Sequence, residues 1–196
     1  MLKNATRPSR SLRLGAILAL GATAAVMFAG AASAGQVVRE TIHEEGSEVL
    51  EDFCGSEGLT VEQAFVVDTR VHVVPHGPDR LAYFLQHGRR TEVITNLAND
   101  KSVTSVTKVI EKDMRVTDNG DGTLTILIHA TGNAVVYGED GKAIARNPGQ
   151  VRFELVVDDG GTPSDPADDE ELSFRVVRES TGRSDDFCEA VVPALS

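Results

Sequence analysis

The chain has 196 residues, of which 41% are hydrophobic and 25% are charged, a balance typical of one globular domain or a small pair. Its formal net charge of -11 argues against a nucleic-acid partner, because affinity for nucleic acids depends first on Lys and Arg side chains that neutralise phosphates. Two Cys are too few for a Cys-only zinc site or a disulfide-dense miniprotein, and the chain has no Trp.

Residues 1–34 have the pattern of a secretory signal peptide. Four basic residues and no acidic one accompany an apolar run over residues 14–29, and the small residues Ala32, Ser33 and Ala34 follow it. We therefore expect cleavage after Ala34, a secreted, extracellular protein, and a single β-domain over residues 35–196. Loss of the four basic residues makes this acidic chain more acidic still. No later stretch is apolar enough to span a bilayer, so we expect no membrane span after cleavage.

Period-2 alternation of apolar and polar residues dominates the rest of the chain and predicts half-buried β-strands. The alternation is clearest over residues 60–74, where Val67, Val71 and Val73 share one parity while Asp68 and His72 share the other. In chain order, we expect strands at residues 36–43, 60–74, 81–86, 91–97, 102–117, 122–131, 133–137, 150–157 and 172–178.

Short connectors rich in Gly, Pro, Asn and Asp join these strands, at residues 75–79, 118–122 and 138–141. Short joins favour antiparallel neighbours, and strands as long as residues 60–74 are typical of barrels. The sequence therefore predicts an all-β fold, a single antiparallel β-barrel or barrel-like sandwich of about eight or nine strands. We expect no helix beyond a short turn within residues 44–53.

Cys54 and Cys188 have similar surroundings, since each follows a Phe and two acidic residues. An oxidising compartment favours a disulfide between them, which would tie the start of the domain to its end. The other interpretation is a catalytic thiol with a resolving partner, but redox pairs usually have the spacing C-x-x-C near the start of a helix.

Three runs resemble a group of uncharacterised secreted proteins of high-GC Gram-positive bacteria: VPHGP (74–78), TDNGDGTLT (117–125) and DDFCEAVVPAL (185–195). The resemblance implies export and a shared fold, and it brings no activity or catalytic residue. By analogy of architecture only, the strand count is similar to lipocalin-like and allene-oxide-cyclase-like barrels.

Polar side chains around one expected hairpin are the weak catalytic candidates. A hairpin centred near residue 77 would let Asp68, His72, Tyr83 and His87 share one face, as an acid–base or metal site. The alternative is the solvated face of an ordinary hairpin, and no H-E-x-x-H spacing supports a metal.

An acidic loop over residues 158–171 is a weak calcium candidate, because calcium takes several oxygen ligands from flexible loops. Its candidate ligands are Asp158, Asp159, Asp165, Asp168 and Asp169. The EF-hand pattern is absent, so the alternative is a soluble, Pro-stiffened hairpin loop. We expect no cofactor.

The favoured function is a secreted β-barrel protein of unknown activity that binds a small, partly apolar ligand within the barrel or at its mouth. The residues expected to line the pocket are Val67, Val71, Val73, Phe84, Ile126, Ile128, Phe153 and Phe174. Each of them could instead be plain core, because small barrels are often filled by side chains. The alternatives are an isomerase- or cyclase-type enzyme, less favoured because no nucleophile or phosphate motif is present, and an extracellular structural or interaction protein without a small-molecule site.

Overall fold

The computed structural model describes residues 37–196, so the expected signal peptide and its cleavage site lie outside the described residues. Seven strands run through this part of the chain: β1 (Val38–Leu50), β2 (Val61–His76), β3 (Leu81–Asn96), β4 (Ser102–Asp118), β5 (Thr123–Tyr137), β6 (Ala143–Asp158) and β7 (Glu170–Arg178). A 3-10 turn, Phe53–Gly55, follows β1, and one α-helix, α1 (Phe187–Leu195), follows β7.

The strands form one antiparallel meander in which each strand pairs with the next along the chain, in the order β1 to β7. This confirms the predicted all-β antiparallel class. β1 and β7 are the two edges of the sheet and do not pair with each other, so the sheet is not closed and the predicted barrel is not confirmed.

The predicted count of eight or nine strands was too high because two pairs of expected strands are continuous. The strands expected at 81–86 and 91–97 merge into β3 (Leu81–Asn96), and those expected at 122–131 and 133–137 merge into β5 (Thr123–Tyr137). Gly88 and Gly132, which look like strand breaks in the sequence, remain in the ladder, where Gly88 pairs with Thr69 and Val109. A Gly inside a strand can also mark a close approach of another backbone.

Gly132 shows such a close approach. A Cβ atom at this position would lie 2.5 Å from the Lys108 carbonyl oxygen of β4, which is backbone and cannot rotate away. We expect Gly132→Ala to lower the free energy of unfolding by about 1–3 kcal/mol through overpacking. Urea unfolding followed by circular dichroism measures this. Thr131→Ala, at the exposed neighbouring position, is the control and should change it by less than about 0.5 kcal/mol. A loss no larger at Gly132 than at Thr131 would contradict the close approach.

The strand register sorts side chains onto two faces, because paired residues of neighbouring strands project to the same side. We define the inner face as the side of the sheet that carries the even positions of β1, β3 and β5. It also carries the odd positions of β2 and, from Ala145 onward, the odd positions of β6. β4 contributes its odd positions as far as Asp113, and Val116 after a bulge. Phe174 and Val176 of β7 are on this face. The opposite side is the outer face.

Two apolar clusters occupy opposite ends of the inner face. The helix-end cluster joins Val61, Ile94 and Val103 to Val191 and Leu195 of α1. The far-end cluster is built on Val116, Leu124, Ile126 and Val157. The burial of these side chains supplies the main driving force for folding.

Helix α1 covers the first of these ends and was not predicted from the sequence. The helix has only nine residues and contains Pro193, so it lacks the long periodic pattern by which helices are recognised. The Cys54–Cys188 disulfide, which confirms the predicted pairing, ties its first turn to the turn after β1. At its other end the Leu195 carbonyl oxygen accepts hydrogen bonds from the side-chain amides of Asn96 and Asn99, at 2.8 and 2.9 Å.

Candidate functional site

The eight apolar residues predicted to line a pocket all lie on the inner face. The register pairs Val73 with Phe84 and Ile128 with Phe153, and it places Phe174 opposite Leu155. The Phe153 and Phe174 rings are in contact, with their centroids 5.1 Å apart. Val67, Val71, Val73 and Ile126 are buried, whereas Phe84, Ile128 and Phe153 are half-buried and Phe174 is exposed. The prediction therefore selected one continuous side of the sheet.

Two carboxylic acids on the inner face of β4, Glu111 and Asp113, were not predicted as site residues. Asp113 is only 6% exposed. Burial raises its pKa from 3.8 to about 6, and the Glu111 charge adds to the increase. The Phe84 N–H donates to Asp113 Oδ2 at 2.8 Å and partly opposes it. Burial also raises the pKa of Glu111. The inner face thus contains a group able to exchange a proton near pH 6.

Asp113 lies where the β3–β4 ladder ends. The last ladder pair is Leu85 with Lys112, and β4 has a bulge between Asp113 and Arg115. Beyond this point side chains take over from backbone pairing: Asp113 accepts from Phe84, and the Tyr83 hydroxyl accepts a hydrogen bond of 3.0 Å from the Val116 N–H. Through its hydrogen bond with the Phe84 N–H, Asp113 therefore also links β3 to β4.

A second polar group lies on the inner face nearer the helix end. The Arg90 guanidinium is 4.7 Å from the centre of the Phe65 ring and donates to Glu92 at 2.8 Å. The Gln63 side-chain amide donates to the same Glu92 carboxylate. Arg90 and Glu92 are mostly buried, so their charges balance each other on a face shielded from water.

The inner face therefore has apolar ends and a middle that mixes buried apolar side chains with a few polar groups. The apolar clusters can bind hydrocarbon surface, while Asp113 and Glu111 can accept hydrogen bonds when ionised and donate them when protonated. A few polar groups within an apolar surface are the usual composition of a small-molecule site.

Two of the three weak catalytic candidates lie on the other side of the sheet. His72 and His87 are exposed on the outer face, opposite Leu85 and Arg70 respectively. Tyr83 contacts the His76 ring, at 4.8 Å between ring centres, and its hydroxyl is engaged with Val116. Across residues 37–196 no hydrogen bond joins His72, Tyr83 and His87 to one another. His72 and His87 thus stay on the outer face, whereas Tyr83 also packs against the far-end cluster of the inner face.

Asp68, the fourth residue expected on that hairpin face, makes a contact of its own on the outer face. Asp68 lies 2.8 Å from His43 Nδ1 of β1, and this hydrogen bond raises the pKa of His43. Both side chains are well exposed, so the pair adds little to stability.

The acidic loop between β6 and β7 concentrates charge around Asp169. Burial raises the pKa of Asp169 to about 6, and Asp168, Asp159, Asp165 and Asp158 add to the increase, in that order. Local hydrogen bonds hold parts of the loop, as when the Thr162 hydroxyl donates to Asp168 at 2.6 Å. Among residues 37–196, no three His, Cys, Asp or Glu side chains are placed to hold a metal ion. Calcium binding by this loop stays a prediction.

Comparison of the chain with protein-family models gave no match, and comparisons with curated proteins and with solved structures also gave none. Within the described part of the chain, no helix is long and apolar enough to cross a membrane.

Proposed function

We propose that this protein is an extracellular binding protein whose inner face takes a small, partly apolar ligand. The burial of Asp113 beside Glu111 on that face carries the proposal. A rise in pKa from 3.8 to about 6 corresponds to about 3 kcal/mol of folding free energy lost at neutral pH. A face that served only as core would be more stable with an apolar residue there, and strongly perturbed carboxylates cluster at functional sites.

The proposal includes a barrel-like shape, in which the sheet coils strongly but stays open between β1 and β7. The burial pattern supports this shape. Val71 and Val109 are buried in the middle of the inner face, at 3% and 9% exposure. Among the described elements, α1 packs only against the helix-end cluster, so the strands themselves must cover the middle.

The same arrangement indicates the chemistry of the ligand. Its apolar part would contact Val71, Val73 and Phe84, which border Asp113 across β2 and β3. Its polar part would carry a hydrogen-bonding group for the Asp113 carboxyl. Below about pH 6 this carboxyl is protonated and can donate to a carbonyl or hydroxyl oxygen of the ligand.

Two neighbouring residues of β5 offer a matched test with Nile red, a neutral and partly apolar dye. Ile128 and Leu127 are both half-buried, but Ile128 is on the inner face and Leu127 on the outer. We expect saturable binding of the dye, weakened at least about tenfold by Ile128→Gln and less than about twofold by Leu127→Gln. Dye fluorescence titration measures both, and circular dichroism checks folding.

If the two variants weaken dye binding equally, or if the wild-type protein shows no saturable binding, the proposed site is wrong. The latter result would favour an extracellular structural or interaction protein without a small-molecule site.

A barrel-type isomerase or cyclase is a second candidate, favoured by one observation. Asp113 has a pKa of about 6 on a mainly apolar face, which suits a group that takes and returns a proton. A binding protein returns a captured molecule unchanged, whereas an enzyme returns an altered one. To distinguish a binding protein from an enzyme, a molecule that the protein binds is incubated with the wild-type protein and with Asp113→Asn, released, and compared by chromatography. Only an enzyme should release an altered molecule from the wild-type protein that Asp113→Asn fails to produce.

A further inference from the structure

Strand β7 is an exposed edge with an unusual amount of apolar surface. All nine of its residues are exposed, including Leu172 at 53%, Phe174 at 40% and Val177 at 44%. One side of the strand pairs with β6, and the other has no neighbouring strand in the sheet. An open edge presents unpaired N–H and C=O groups and can serve as a template for a further strand.

The charges of β7 are unbalanced at both of its ends. Glu170 lies opposite Asp158 of β6, and Arg178 lies opposite Arg152. Like charges directly opposite each other destabilise a strand pair. Neither Glu170 nor Arg178 takes part in an ion pair within the described residues, whereas Arg175 in the middle is matched by Glu154 at 2.7 Å.

We infer that β7 pairs in the antiparallel direction with β7 of a second copy of this chain, about a twofold axis at Phe174. This register places Glu170 opposite Arg178 of the second copy, and Arg178 opposite Glu170 of the second copy. It also places Leu172 opposite Val176 and Phe174 opposite itself. Glu170 and Arg178 each gain an opposite charge, and Leu172, Phe174 and Val176 meet apolar side chains of the second copy, as an isologous interface requires, while Val177 lies opposite Glu171.

The faces of the strand fit this register. Glu170 and Arg178 both lie on the outer face, because they pair with Asp158 and Arg152, and residues paired across two strands must share a face. Two bulges in the β6–β7 pairing lie between them and keep both charges on that side. A register shifted by one residue would place Phe174, on the inner face, opposite Arg175, on the outer face, and is therefore disfavoured.

The other edge of the sheet is not suited to this pairing. β1 carries Glu40, Glu44, Glu45 and Glu48, so two antiparallel copies of β1 would bring glutamates together. Edge strands that must stay unpaired commonly carry charge in this way. A pair of nine-residue strands makes a small interface, so we expect a dimer that dissociates in the micromolar range rather than an obligate one.

Charge reversal tests the pairing, with sedimentation velocity over a range of protein concentrations as the measurement. We expect Glu170→Arg and Arg178→Glu each to weaken the dimer at least about tenfold, and the double variant to restore it to within about threefold. Glu44→Arg, an exposed position on β1, is the control and should leave the dimer unchanged. A wild-type protein that stays monomeric at high concentration, or a double variant no better than the single ones, would overturn the inference.

Disulfide trapping tests the register directly, because the native Cys54 and Cys188 are already paired. In an oxidising buffer we expect Phe174→Cys to form a covalent dimer with itself. Ser173→Cys should not do so alone, but should form one when mixed with Arg175→Cys. Cross-linking of Ser173→Cys as fast as that of Phe174→Cys would overturn the register. Neither charge reversal nor disulfide trapping involves a ligand, so the dimer can fail these tests while the proposed binding function stands, and the reverse.

Discussion

Replacing Cys54 and Cys188 together with Ser is expected to lower the free energy of unfolding by about 3–5 kcal/mol. The disulfide closes a segment of 134 positions, so its loss frees most of the unfolded chain. The native state also loses the covalent link that holds α1, and with it Val191 and Leu195, over the helix-end cluster. Urea unfolding followed by circular dichroism measures the change.

Reduction of the wild-type protein provides the control. We expect a reductant to destabilise the wild-type protein by a similar amount and to leave the double variant unaffected. Amide hydrogen exchange should accelerate first in α1. Without the disulfide the first turn of the helix loses its covalent link, and the hydrogen bonds from Asn96 and Asn99 hold only its other end, at Leu195. A loss of less than about 1 kcal/mol would show that the disulfide is not a major source of stability.

Replacing Asp113 with Asn is expected to raise the free energy of unfolding by up to about 3 kcal/mol near pH 8 and to change it little near pH 4. The pKa of Asp113 is about 6 in the folded protein and near 3.8 in the unfolded chain, so the folded state binds the proton more tightly. Its contribution to stability is therefore fully present below pH 3.8 and is lost as the pH rises through about 6. Asn has no charge to bury, and its carbonyl oxygen can still accept from the Phe84 N–H.

The measurement is urea unfolding of both proteins across this pH range. The difference in unfolding free energy between variant and wild type should grow from about pH 4 to pH 7 and then level off. Asp79→Asn, in the exposed turn between β2 and β3, is the control for a substitution away from the buried site and should change the free energy of unfolding by less than about 0.5 kcal/mol. A difference at Asp113 that stays constant with pH would contradict the burial of an ionised carboxylate.

Much of the inner face could be predicted from the sequence because the side-chain period of a strand is two. Once Val67, Val71 and Val73 are assigned to one side of β2, antiparallel pairing fixes the side of every neighbour. This is why eight candidates drawn from five strands prove to lie on one face. The positions of the turns were also readable, since Gly77, Gly120 and Gly141 adopt the positive φ that few other residues favour.

The buried Asp113 and the half-buried Glu111 could not be found in this way. Glu111 and Asp113 share the parity of Val109, but their alternation with Lys112 resembles an ordinary solvated strand. Their burial depends on where the β3–β4 ladder ends and on the bulge after Asp113, and both are properties of the assembled sheet. One signal was available: a carboxylate at an expected inward position of a strand is a candidate site residue.

Closure of the sheet was equally beyond the sequence. A barrel requires strand number, tilt and stagger to agree, and none of these is encoded in local alternation. The count itself was distorted by Gly88 and Gly132, which lie within strands and do not end them. Helix α1 is too short to show a helical period and depends on its tertiary contacts.

The most direct test of the binding face is a methyl NMR titration of the Ile, Leu and Val side chains with Nile red. We expect saturable shifts of the Val71, Val73, Ile126 and Ile128 methyl signals on the inner face. The outer-face signals of Val66, Val74 and Leu127 should stay in place. Shifts confined to the outer-face methyl groups, or no saturable shift in either set, would contradict a ligand site on the inner face.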